Sequence, residues 1–422
     1  MKKSFKAVSM LLVVFMVMGI VLTGCGGAGT ESPTAAKAEP GTEKKEAKEV
    51  TIRYGLWGSE EEQKVQKEAA LGIEKVYPGI KIEVTPYPDD KTFWQQLPAQ
   101  VAAKTAPDII QLTNEGHIEY ITKGSFAPID EEIKAAGVDL GKYADTAKAI
   151  WTYEGKLYGV PMGAAPAMFF INKDMWDAAG LTDYPKTWDE VKTAAKALTK
   201  GDVAGIICNI DAYHLTNYAL SFGGGWGNGK TINSPENVKA LEFFVSLFDE
   251  KLATSPKHQG LGWDGEVFAN RKGAMTTGGY WYKGFLKNSG PDIKYAVVPV
   301  PKGTTEACTM HSVGIAILKD SPDKVAAVKA AAYMAREEAL SKLMDSVGLN
   351  PALTSLTAKY YEANPEFKAI EPMVKVSKDF GYPAEGKKFI DALVGAMEAK
   401  ILKNDKKSVK EILDEIQNNF NK

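Results

Sequence analysis

Gly224 to Thr231 reads G-G-W-G-N-G-K-T, which satisfies the phosphate-loop spacing G-x-x-x-x-G-K-[ST]. That chemistry needs a strand running into the loop and a helix opening at the Lys-Thr pair, so that backbone amides and the helix dipole hold phosphate. Here the next helix signal is Ser234-Pro235, after the extended-looking Thr231-Ile232-Asn233, and a Trp sits inside the loop. The stretch is read as a glycine-rich turn, not a nucleotide site. No G-x-S-x-G elbow occurs, and no other nucleophile stands with a base. The four histidines are scattered, and no C-x-x-C or H-E-x-x-H spacing offers a metal site, so neither metal nor cofactor is expected. Carboxylates are plentiful, which leaves a glycosidase pair as the enzymatic alternative.

Eight tryptophans remain to be placed. Aromatic faces offer flat apolar area to the C–H faces of a pyranose, so they favour a carbohydrate ligand if several line one site. Trp188 is the first residue of a capped helix and Trp176 lies in the short N-K-D-M-W helix, so both are assigned to the core. Trp94 and Trp151 lean structural. Tyr360-Tyr361, among Lys, Glu and Asn, are read as packing and solvating a helix rather than as metal ligands.

The elements that must position these groups follow from periodicity. Trp151–Tyr153 and Lys156–Val160 form a hairpin around Glu154-Gly155. Ala167–Ile171 is a buried apolar strand, Asn172 caps a short helix ending at Gly180, and Thr187 with Glu190 opens a helix whose inner face is Val191, Ala194, Ala195 and Leu198. Nearer the start, Val50–Tyr54 and Ile80–Thr85 are strands flanking a helix capped by Ser59 and Glu62, with Val65, Ala69 and Ile73 inside. A helix from about Thr92 is expected to bend or break at Pro98. A third strand ends near Leu112. Alternating strands and helices mean a mostly parallel α/β sheet. In such sheets ligands gather beyond the carboxyl ends of the strands, which singles out Trp57-Gly58-Ser59 and Thr113-Asn114-Glu115.

The chain begins with Lys2, Lys3 and Lys6, then fifteen mostly apolar residues, Ala7 to Val21, then Leu22-Thr23-Gly24-Cys25. A basic head, a short apolar stretch and a small-residue site describe a secretory signal over residues 1–24. The L-T-G-C ending resembles a bacterial lipobox, in which Cys25 becomes the lipidated first residue. Residues 25–49 are a Gly/Ala/Thr/Glu/Lys/Pro tether. Losing three lysines moves the formal charge from −2 to −5, and a mildly acidic chain with no basic stripe argues against nucleic acid. Cys208, inside the apolar run Gly205–Ile210, is read as a buried inert thiol, with a bridge to Cys308 as the alternative. About 370 residues remain for the folded part, which is too many for one ordinary core, so two domains are expected.

The series K-L-Y-G-V-P, N-K-D and K-T-W-D-E over residues 156–190, with V-G-L-N-P-A-L-T-S-L later, resembles the extracellular solute-binding proteins of ABC importers. The resemblance is to the sugar-binding group that includes maltose-binding protein. It implies a two-lobed type II periplasmic-binding-protein-like α/β fold with a ligand cleft between the lobes. Three hinge crossings are implied, near Val160–Ala165, Val298–His311 and Leu349–Ser355. The lobes would be 50–162 with 310–352, and 163–309 with 353–422. It further implies a non-enzymatic, monomeric receptor, anchored through Cys25 outside the membrane, that closes on a sugar and delivers it to permease subunits. Ligand-binding positions implied by the resemblance and the strand-end rule are Trp57, Ser59, Asn114, Glu115, Asp211, Tyr213, Trp226, Trp263, Tyr280 and Trp281. Ala165 stands where maltose-binding relatives carry an acid, which argues against maltose itself. A non-sugar solute is the other alternative.

Overall fold

A computed structural model describes residues 49–420. The expected leader, Cys25 and the tether through residue 48 lie outside the described residues. Among the described residues twelve strands occur, which in chain order are β1 (Val50–Leu56), β2 (Ile80–Pro86), β3 (Ile109–Thr113), β4 (Thr152–Tyr153), β5 (Lys156–Leu157), β6 (Gly159–Pro166), β7 (Met168–Asn172), β8 (Ile206–Ile207), β9 (Ala253–Thr254), β10 (Met275–Gly278), β11 (Tyr295–Pro299) and β12 (Met310–Ile317). They build one five-stranded sheet in the order β2-β1-β3-β12-β6, a second in the order β11-β7-β10-β8-β9, and the hairpin β4-β5.

Each large sheet contains one strand that runs against its neighbours. In the first it is β12, antiparallel to both β3 and β6. In the second it is β7, antiparallel to β10 and β11. Both are strands entered directly after the chain leaves the other sheet. Only Ala167 separates β6 from β7, and the segment after Pro299 returns the chain to β12. The third passage is the run around Pro351, which bridges to Gly163 of β6. From there Pro365–Lys375 packs along β11, and the helix Val409–Phe420 packs on the helix Pro235–Asp249. The fold is thus the two-lobed type II arrangement with three crossings.

Local chemistry accounts for the elements. Thr187 and Glu190 form a complete capping box, and Trp188, Val191, Ala194, Ala195 and Leu198 are the buried stripe behind it. The β4–β5 turn carries Glu154 at φ 48° and Gly155 at φ 75°, the two left-handed residues a tight hairpin demands. Trp151 is fully buried over the β6–β12 pair, where Gly159 and Gly314 leave room: a Cβ on Gly314 would lie 2.4 Å from the indole. The interruption expected at Pro98 does not occur; Asp90–Ala103 is one helix, anchored ahead of the proline by fully buried Phe93 and Leu97. Cys208 and Cys308 are both buried free thiols, so the alternative bridge is not formed, and burial pushes each up to about 12.

Candidate functional site

On the first sheet, the loops after β1 and β3 supply one side of the site. Trp57 is half-buried, with its ring 4.3 Å from Phe93 and 5.8 Å from Trp94. Ser59 caps the helix Glu60–Ala70, its Oγ accepting the Glu62 amide at 3.2 Å. Asn114 is 3% exposed and has every polar atom engaged: Nδ2 donates to the Met310 carbonyl at 3.0 Å and to Asp379 at 2.7 Å, while Oδ1 accepts from the Ser312 amide at 2.8 Å. Its role is therefore a clamp that holds the start of β12 to the end of β3. Glu115, half-buried, is near enough to act electrostatically on the phenols of Tyr213 and Tyr382.

The second sheet supplies an aromatic wall. Tyr213 opens the helix Ala212–Ser221 and donates its hydroxyl to the Gly278 carbonyl at 2.7 Å, which ties it to the end of β10. Trp281 lies 5.6 Å from Tyr213 and 5.4 Å from Tyr280 between ring centroids, and remains half-buried. Of two further tryptophans expected at the site, one belongs to the core. Trp226 is 0% exposed, donates Nε1 to Thr216 Oγ1 at 2.8 Å and packs on Phe389, so in this structure it is a core residue. Trp263 packs edge-on against Phe285 and Tyr282.

Beneath Tyr213 runs a buried charged network. Asp211 caps the helix by accepting the His214 amide at 2.8 Å, and its carboxylate also meets His214 Nδ1 at 2.8 Å. His214 Nε2 faces the Thr277 carbonyl at 2.9 Å and Asp264 at 3.6 Å. Asp264 in turn accepts from Asn209 Nδ2 at 2.8 Å and from the Tyr282 hydroxyl. A carbonyl and a carboxylate only accept, so both imidazole nitrogens carry hydrogens. Burial opposes the charge, yet Asp211 and Asp264 outweigh it and hold the imidazolium well above the usual histidine range. For Asp264 burial likewise opposes ionisation, and His214 overcomes it and lowers the carboxyl. Asp211, His214 and Asp264 bring ligand atoms within 4.8 Å of one another, and the imidazole nitrogens are engaged by the Asp211 carboxylate and the Thr277 carbonyl.

Several residues here were not anticipated. Glu62 accepts from Gln111 Nε2 at 3.1 Å, and burial pushes its carboxyl up to about 7 against that bond and one from the Ser59 backbone. After burial, its charge is the further influence raising the Tyr280 phenol, which links the helix behind β1 to the second sheet. The helix-start pattern around Ser59 absorbed this residue. Phe380 lies 6.2 Å from Tyr213, and with Tyr382 and Asp379 it borders a recess beside Glu115. These three sit in a segment without periodicity, so no pattern pointed to them. His311 lies 4.8 Å from the Trp281 ring.

The Gly224–Thr231 loop holds no phosphate cradle. Asn237 takes up its backbone, with Oδ1 accepting from the Gly225 amide at 2.8 Å and Nδ2 donating to the Thr231 carbonyl at 2.8 Å. The next helix opens at Pro235 under a Ser234 cap.

The model of the bacterial extracellular solute-binding protein family matches residues 57–340. The chain belongs to that family. Its relatives include the arabinooligosaccharide-binding protein of Bacillus subtilis, 25% identical over 81% of this chain and 79% of the relative. An uncharacterized ABC transporter extracellular-binding protein of Pyrococcus horikoshii is 27% identical over 70% of this chain and 69% of its own. Among solved structures, an ABC substrate-binding protein of Listeria monocytogenes in complex with cycloalternan superposes with TM-score 0.81 at 26% identity, covering 88% of this chain and 98% of that one. A maltose-bound protein of T. maritima superposes at 0.77 with 20% identity, covering 88% and 98%. These relatives are binding proteins, in keeping with a non-enzymatic, extracytoplasmic receptor. No helix among the described residues is long and apolar enough to cross a membrane.

Proposed function

We propose that this protein captures a sugar or oligosaccharide between its lobes and delivers it to the permease of an ABC importer. The observation that carries the reading is the wall of Tyr213, Tyr280 and Trp281 on the second sheet, with the Glu115 and Glu62 carboxylates of the first near enough to act electrostatically on its phenols. Aromatic faces take the apolar side of a pyranose and carboxylates accept its hydroxyls. Trp57, Ser59, Asp211 and Trp263 complete the set of ligand positions, some through the shape they impart. Asn114 serves by clamping. Closure is a hinge motion of residues 50–162 and 310–352 against 163–309 and 353–422. The receptor works as a monomer, anchored to the outer face of the cell membrane through lipid on Cys25. The arabinooligosaccharide, cycloalternan and maltose named for its relatives support a carbohydrate.

A thermal-shift screen over mono- and oligosaccharides tests this, because a ligand bound only by the native state raises the melting temperature. A rise with one sugar, with the sugar recovered intact, is expected. Shortened products would favour a hydrolase, and a shift only with non-sugar solutes would replace the carbohydrate. Cys25→Ala is expected to release the protein from membranes in a fractionation; a wild type that is already soluble with an unmodified N-terminus would refute the anchor.

A further inference from the structure

We propose that His311 contacts the ligand and sets specificity, its imidazole exchanging a hydrogen bond with a hydroxyl of the bound sugar; this rests on the sugar reading above. His311 is the second residue of β12, the strand by which the chain re-enters the first sheet. It pairs with Ala165 of β6, so only a methyl group faces it across the ladder. The Asn114 clamp grips the chain on both sides of it, at the Met310 carbonyl and the Ser312 amide. The Ser312 hydroxyl is itself held, accepting from Trp151 Nε1 at 3.0 Å and donating to the Gly163 carbonyl at 2.9 Å. The backbone that aims His311 is thus fastened by Asn114 just after β3, the Gly163 carbonyl of β6 and Trp151 before β4.

The side chain itself is left without a partner. His311 is 8% exposed, and its Nδ1 is buried with nothing to bond. Its surroundings are rings: Trp281 at 4.8 Å, and Tyr213 and Tyr280 at 6.3 Å each. A buried polar atom without a partner costs stability, and a ligand hydroxyl placed beside it would restore the missing bond. Six such side-chain atoms occur among the described residues, and His311 Nδ1 alone belongs to a ring touching Tyr213, Tyr280 and Trp281. Burial holds the imidazole down to about 4, so at neutral pH it carries one N–H and one lone pair. A sugar hydroxyl likewise donates and accepts, whereas the surrounding rings serve only its apolar face. A site built to bond a hydroxyl rejects an analogue lacking it far more strongly than an apolar pocket rejects a change of size.

The test uses the purified receptor with maltose, lactose, mannotriose and cycloalternan as probes. Thermal shift picks the binder and titration calorimetry measures its affinity. His311→Leu fills similar volume without a polar atom. It is expected to leave the unliganded melting temperature unchanged or higher while weakening binding roughly 10- to 100-fold. His311→Asn returns a polar atom near the place of Nδ1 and is expected to recover part of that loss. Wild-type affinity in His311→Leu overturns the role of His311 while leaving the sugar reading intact. Weakened binding that tracks a lowered unliganded melting temperature in both variants also overturns it, by assigning the ring to packing. If no probe binds the wild type, the sugar reading and this inference fall together.

Discussion

The surroundings of His214 and His311 lie on two sides of Tyr213 and treat the same side chain in opposite ways. His214 is held between two carboxylates and a carbonyl, all acceptors, and is charged. His311 sits among three aromatic rings with Nδ1 unbonded, and is neutral. Both are buried, so burial by itself predicts the same downward push on each. What differs is the presence of fixed negative charge within a few ångströms. The first region is closed and self-satisfied, and it positions Tyr213 and the end of β10. The second is incomplete without a ligand. Burial of a polar group therefore distinguishes support from recognition only when its partners are counted.

The largest effect is expected from removing half of the closed region. Asp264→Ala strands the imidazolium and should cost about 3–5 kcal/mol in chemical denaturation; a cost under about 1 kcal/mol would show the network to be dispensable. Trp281→Ala, on the incomplete side, should weaken sugar binding by about 2–4 kcal/mol in calorimetry with little change in unliganded melting temperature. Trp188→Ala and Trp226→Ala should do the reverse, losing about 3–5 kcal/mol of stability first, because both rings are core.

The two histidines should also give opposite pH slopes. For His214, raised in the folded state, stabilisation is complete below the unfolded value near 6.5 and is lost as pH rises through its folded pKa. For His311, held to about 4, the unfolded chain binds more protons between 4 and 6.5, so stability falls as pH drops through that window. Denaturation of His214→Gln and His311→Leu as a function of pH should remove the high-pH and the low-pH slope respectively. The same slope lost in both would break the contrast. The smallest effect is a control remote from either region: Glu154→Asn relieves the left-handed strain at φ 48° and should add about 0.5 kcal/mol without touching affinity.

Much of the scaffold was legible because periodicity and caps are local. The Thr187–Glu190 box, the stripe from Val191 to Leu198, the strand at Ala167–Ile171 and the two core tryptophans at 176 and 188 appear where the pattern put them. The strand-end rule led to Asn114 and Glu115, since it needs only element order. It did not reveal that Asn114 spends its amide on Met310, Asp379 and Ser312, because those partners lie far along the chain. Trp226 looked like a loop aromatic, and only the arrival of Phe389 from the C-terminal part of the chain makes it core.

Element types, the order that demands two α/β sheets, and the absence of a phosphate cradle at Lys230 were determined by sequence alone, since capping, turn preference and hydrophobic period act over a few residues. Which tryptophan is core, which histidine is charged and which amide is a clamp were decided by tertiary structure. Those properties depend on partners far along the chain as well as near ones: Asn209 reaches Asp264 across 55 positions and Asn114 reaches Asp379 across 265. A side chain's charge and exposure follow from the dielectric and the neighbours that folding assembles around it, and no local pattern encodes them.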